Sequence, residues 1–173
     1  MSMKRISITF ALLVSCVLLY AKSDLQLQTG STSFLKESVF ATVEMDWSKA
    51  TWEKYRSIQK YCGDDYEERF EISVIAFARE FNSNSKGLRI TESEDAKYKI
   101  VIRMEDFEQN SSGTGWGRFY IRLYGTLEVI DLSTGNSVAK FIIDGVNGGA
   151  DYVQTDRFAK SFAKLGKTLA KKK

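Results

Sequence analysis

The 173 residues include no histidine and no proline, 25 basic and 22 acidic side chains, and two cysteines. Without histidine, a Ser-His-Asp triad, a Cys-His pair and any His-ligated zinc or iron site are excluded, so catalysis would have to rest on carboxylates, lysine, tyrosine or cysteine. The formal charge of +3 shrinks once the basic amino-terminal segment is set aside, and a near-neutral domain has no bulk field to draw nucleic acid.

Lys4 and Arg5 precede an apolar run over residues 6–19, and Tyr20-Ala21-Lys22 follows. A basic start, an apolar stretch shorter than a membrane span and a small residue before a polar segment predict a secretory signal peptide over residues 1–21. Two processing sites compete. Cleavage after Ala21 frees a secreted protein, whereas Leu13-Val14-Ser15-Cys16 reads as a lipobox that would lipidate Cys16 and tether the protein to a membrane. The apolar Val17-Leu18-Leu19-Tyr20 after that cysteine favours the first. Residues 22–37 are polar and read as a flexible leader, and residues 38–173 as a single domain. Cys62 is then the domain's lone thiol, so no internal disulfide forms; a half-buried, inert side chain is expected.

Val39, Ala41, Val43 and Met45 alternate with polar neighbours, which predicts a strand ended by Asp46-Trp47-Ser48. The stretch to Gly63 is aromatic and irregular. A helix is expected from Asp64 or Asp65 to about Phe81, because Tyr66, Phe70, Val74, Phe77 and Phe81 fall on one 3.6-residue face. A short strand near residues 87–91 follows, then one in which Tyr98, Ile100, Ile102 and Met104 share a face. After a loop, Phe119, Ile121, Leu123, Leu127 and Val129 point one way along the longest strand, and Tyr120, Arg122 and Tyr124 the other. A hairpin at residues 131–136 leads into a strand over residues 138–146. The last element is a helix from near Asp156, with Phe158, Phe162, Leu165 and Leu169 as its apolar stripe. The expectation is an α+β two-layer sandwich: a mixed five-stranded sheet with two helices on one face.

This order, together with Asp46-Trp47-Ser48-Lys49-Ala50-Thr51, Ala96-Lys97-Tyr98-Lys99-Ile100-Val101-Ile102 and the hairpin run from Gly125 to Gly135, resembles uncharacterised families of small exported bacterial proteins. It is similar, more distantly, to the periplasmic α/β domain of the curli-secretion lipoprotein and the amino-terminal domain of the Tol-system propeller protein. The resemblance implies an envelope assembly or interaction module without catalysis and without a cofactor. Its motifs are short and fold-determining, so no functional residue is carried over.

Candidate contacts with a partner or ligand are the aromatics Trp47, Trp52 and Trp116, with Tyr120, Arg122 and Tyr124 on the solvent face of the sheet. The partner expected is another envelope protein or a further copy of the chain. A small-ligand or glycan module on the same aromatics is the second reading. Membrane contact would come only through Cys16 or a stripe of Lys160, Lys164, Lys167 and Lys171. Asp64, Asp65, Glu67 and Glu68 read as helix-capping residues rather than a metal site. Asn147-Gly148-Gly149 precedes a helix and would at most cradle an anion. A hydrolase would have only Glu44 and Asp46, in poor geometry for two acids flanking one bond.

Overall fold

The computed structural model describes residues 24–111, 118–151 and 153–173; the signal segment with Cys16, and Trp116, lie outside the described residues. Eight strands form one mixed sheet: β1 Leu25–Gly30, β2 Phe40–Asp46, β3 Thr51–Trp52, β4 Arg56–Ser57, β5 Arg89–Ile90, β6 Tyr98–Ser111, β7 Phe119–Asp131 and β8 Ser137–Val146. Three α-helices accompany them among the described residues, α1 Ile58–Cys62, α2 Tyr66–Asn84 and α3 Gln154–Ala170. The strand order is β1-β8-β7-β6-β2-β5. β2 runs parallel to β6 and β5, and β1, β8, β7 and β6 are successively antiparallel. None of the described helices is long and apolar enough to cross a membrane.

The α+β sandwich expected from the sequence is present, with more strands. The described part of the leader expected over residues 22–37 is ordered from Asp24 on: Leu25 and Leu27 alternate with Gln26 and Gln28, and β1 pairs with β8 through Leu25↔Ile143 and Leu27↔Phe141. A 3-10 turn, Ser33–Lys36, then buries Phe34 and Leu35. The segment between Trp47 and Gly63 also has order. β3 continues along β6 past the end of β2, as Thr51↔Asp106 and Trp52↔Phe107, and turns back into β4. That turn holds Glu53 and Lys54 at φ of 53° and 62°, a left-handed conformation costly for side-chain-bearing residues. Asp106 supports it by accepting from the Lys54 N–H at 3.0 Å.

α2 forms on the predicted stripe, and Phe77 and Phe81 are fully buried beneath it. Asp65 occupies the cap position, but its side chain makes no cap bond; it accepts from Arg69 one turn on, at 2.7 Å. Arg69 is nearly buried, so its guanidinium takes the carboxylate that the free N–H groups would otherwise hold. The helix is tied to the sheet by Asn82, whose amide donates to the Ile90 carbonyl at 2.9 Å and accepts from the Ile90 N–H at 2.7 Å. α2 lies over the β2/β5 side, and α3 over β7, β8 and β1. Between them and the sheet, Ile100, Ile102, Leu123, Leu127, Phe141 and Ile143 meet Phe158, Phe162, Leu165 and Leu169 in one core.

Candidate functional site

The solvent face of the sheet was the sequence's main candidate, and strand alternation does bring Tyr120, Arg122 and Tyr124 together on it. A bulge between Met104 and Asp106 re-registers β6, so that Glu108 stands opposite Arg122 and Asp106 opposite Tyr124. The Tyr124 hydroxyl donates to Glu108 at 2.8 Å, and Lys54 approaches the other Glu108 oxygen at 3.8 Å. Arg122 lies 5.6 Å above the Tyr120 ring and donates to its hydroxyl at 3.4 Å. Asp106 is covered by the β3–β4 turn and accepts from the Thr51 hydroxyl at 2.5 Å. Glu108, Lys54, Thr51 and Asp106 escaped the sequence reading because only the bulge and the turn place them here.

Burial, then the Glu108 carboxylate, holds the Tyr124 phenol above its ordinary value of 10.0. The folded chain therefore grips this proton more tightly than the unfolded chain does. The resulting stabilisation is complete below pH 10 and is lost as the pH rises through the folded value. The Tyr124 ring carbon resonance will titrate above 10, and Glu108→Gln will lower the midpoint while burial keeps it above 10. A midpoint at 10 in the parent chain contradicts the contact.

Further along the same face the charges alternate in sign from strand to strand. Glu44 of β2 pairs with Lys99 of β6, while Glu128 of β7 holds Arg103 of β6 at 3.3 Å and Lys140 of β8 at 3.8 Å. These side chains roof Val101, which is buried on the outer face. The charged side chains of this face thus pair with one another.

The remaining sequence candidates have structural roles. Trp47 is 1% exposed, ringed by Tyr66, Phe70, Phe107, Phe158 and Phe162, and Trp52 is buried with its ring stacked 3.6 Å from that of Tyr61. Both are core residues, because β3 turns the aromatic segment inward. Glu44 and Asp46 share one strand face, but Glu44 is held by Lys99, and Asp46 accepts from the Ser48 N–H at 2.8 Å. The Gly148 N–H donates to Ser161 at 3.2 Å, and a Cβ there would meet the Lys160 backbone at 2.1 Å; this glycine serves close packing rather than an anion. Cys62 is buried, and burial pushes its thiol up. Lys164 and Lys167 are exposed on α3, as is Lys160, which pairs with Asp151, and Lys171 is exposed just past the helix end.

The sheet's two ends are further surfaces. β5 pairs with β2 only at Phe40 and Ala41, and the last bond runs from the Thr91 N–H to the Ala41 carbonyl at 2.9 Å. Strand alternation sends the main-chain groups of Val43 and Met45 to this same side, where no described strand pairs with them. Beside this edge lies a hollow of about 380 Å³ lined by Thr42, Val43, Val74, Ile75, Ala78 and Ile90. A second, more polar hollow of about 320 Å³ is lined by Met45, Asp46, Ser48, Gln59, Tyr66 and Glu67. At the opposite end, β1 carries no charged residue and leaves Leu27 43% exposed.

No family model matches the chain, and no curated protein matches it. Solved structures do. The PelC dodecamer from Paraburkholderia phytofirmans is 18% identical over 86% of this chain and 98% of that one, with a TM-score of 0.44. A point variant of that dodecamer is 17% identical over 84% and 97%, also at 0.44. A Xanthomonas campestris protein of the DUF330 family is 12% identical over 80% of this chain and 85% of that one, with a TM-score of 0.39.

Proposed function

We propose that this chain is an exported cell-envelope protein that works by binding protein, as an assembly or interaction module, and carries no catalytic activity. The observation that carries the reading is the β2 edge, where the main-chain groups of Val43 and Met45 pair with no described strand, beside an apolar hollow. Strand edges of this kind are templates for a further strand. The motif resemblance to the curli-secretion and Tol-system domains implies the same class of role on sequence grounds. The glycan reading leaned on tryptophans, of which Trp47 and Trp52 are now core residues, and the hydrolase reading on Glu44 and Asp46, both of which are engaged.

The test is cross-linking inside the producing cells followed by intact mass of the recovered protein. The expected result is a chain beginning at Lys22, or acylated on Cys16, joined to further copies or to another envelope protein. An unprocessed chain recovered only as monomer overturns the proposal.

A further inference from the structure

We infer that the open β2 edge takes an extended segment of a different protein, one that presents an apolar side chain and, two residues away, a lysine or arginine to the α2 side of the sheet. The inference rests on the interaction reading above and names the chemistry of its partner. β5 covers only the first part of β2: Ile90 lies beside Ala41, the Thr91 N–H donates to the Ala41 carbonyl, and no further pair follows. A strand added in line with β5 would meet the main-chain groups of Val43 and Met45, with which no described strand pairs.

The sheet fixes two positions on that added strand. Residues side by side on neighbouring strands point to the same face, and Ile90, beside Ala41, already packs against the core under α2. The next such position, beside Val43, opens on the hollow of about 380 Å³ lined by Val74, Ile75 and Ala78. An apolar side chain there would cover Ile75, which is 61% exposed. The position after it, two residues on, lies beside Met45. It comes under the first turns of α2, because that helix runs back along β2 and its Glu67 lines the same hollow as Met45.

Charge selects the second side chain. Glu67, Glu68 and Glu71 are exposed on the first turns of α2, and Glu92 is exposed beside the apolar hollow. None of the four enters an ion pair among the described residues. Asp64 extends this acidic rim at one end, and Glu94 with Asp95 at the other. Asp65 and Glu44 are taken up by Arg69 and Lys99, and Asp46 by the Ser48 N–H. The basic side chains on this flank are Arg79, one turn beyond Ile75, and Arg89, whose guanidinium donates to the Asn82 carbonyl, with Lys49 and Lys60 past the end of β2. Acid is in excess where the edge passes Met45, so a basic side chain is favoured there. The chain's own sheet supplies no such strand. β1 carries no charged residue over Leu25–Gly30, and one β2 edge set against another would bring glutamates against glutamates.

The test places a photoreactive benzophenone side chain in the full-length chain at Ile75 or, separately, at Glu92, cross-links it inside the producing cells and sequences the captured segment by mass spectrometry. The expected segment belongs to another protein and carries a lysine or arginine two residues from an apolar one. Glu67→Lys combined with Glu71→Lys is expected to lower the yield about tenfold or more, because like charges then face each other. Lys164→Glu combined with Lys167→Glu, on α3, is expected to leave the yield unchanged; all four sites are exposed, and circular dichroism checks each fold. A captured segment without a basic residue, a segment from a second copy, an unchanged yield with the Glu67 and Glu71 variant, or no cross-link from either position overturns the inference. A chain that captures nothing here yet cross-links to an envelope protein through another surface overturns this inference and leaves the interaction reading standing.

Discussion

Trp47→Ala will cost about 3–5 kcal/mol of folding stability, the range for deleting a large buried aromatic side chain. Trp47 follows β2 and is 1% exposed. Its ring lies 4.9 Å from Phe107 of β6, 5.3 Å from Phe70 of α2, and 5.6 and 5.5 Å from Phe158 and Phe162 of α3. One side chain thus joins the sheet to both long helices, and its removal opens a cavity that none of the three can fill without moving. The indole N–H makes no hydrogen bond to the protein among the described residues, so the side chain contributes through packing. Against a typical total of about 5–15 kcal/mol, this loss is enough to leave a sizeable unfolded fraction. Urea unfolding followed by far-ultraviolet circular dichroism measures it directly. A loss under about 1 kcal/mol would return Trp47 to the surface role that its sequence position suggested.

Gly166→Val will separate the helices and also destabilise the fold, through overpacking rather than a cavity. A Cβ on Gly166 would stand 2.3 Å from the Phe77 carbonyl oxygen and 3.2 Å from the Phe81 nitrogen, and both are backbone atoms of α2 that cannot swing aside. Such crowding costs about 1–3 kcal/mol for a small added group, so Gly166→Ala should fall in that range and Gly166→Val above it. Gly135, in the β7–β8 turn, is the control. Nothing lies within 4 Å of a Cβ there, and alanine would meet only the strain of its φ of 71°. If Gly166→Ala unfolds within about 0.5 kcal/mol of the parent, the close approach of the helices is wrong.

The elements with long, clean periodicity were legible in the sequence. The stripe from Tyr66 to Phe81 and that from Phe158 to Leu169 are each satisfied by one sheet face, and the alternation from Tyr98 to Met104 survives unchanged in β6. Short or uncharged elements were not. β1 has two leucines in six residues and acquires its identity from Ile143 and Phe141, more than a hundred positions away. β3 and β4 have two residues each and depend on Asp106 holding their turn. The Tyr120, Arg122 and Tyr124 grouping followed from alternation alone, but its partners Glu108 and Lys54 arrive through a bulge and a turn that no local pattern announces. The tryptophans misled for a related reason. An aromatic segment without periodicity reads as a surface loop, whereas here a two-residue strand folds Trp52 inward and Trp47 packs against both helices.

The open β2 edge is completed by another chain. Amide hydrogen exchange, compared between the free protein and the cross-linked species recovered from the producing cells, tests this at single residues. Exchange is expected to slow in the cross-linked species at Val43 and Met45, while amides in the β6–β7 ladder, already paired within one chain, do not change. Equal exchange at Val43 and Met45 in both samples would contradict it.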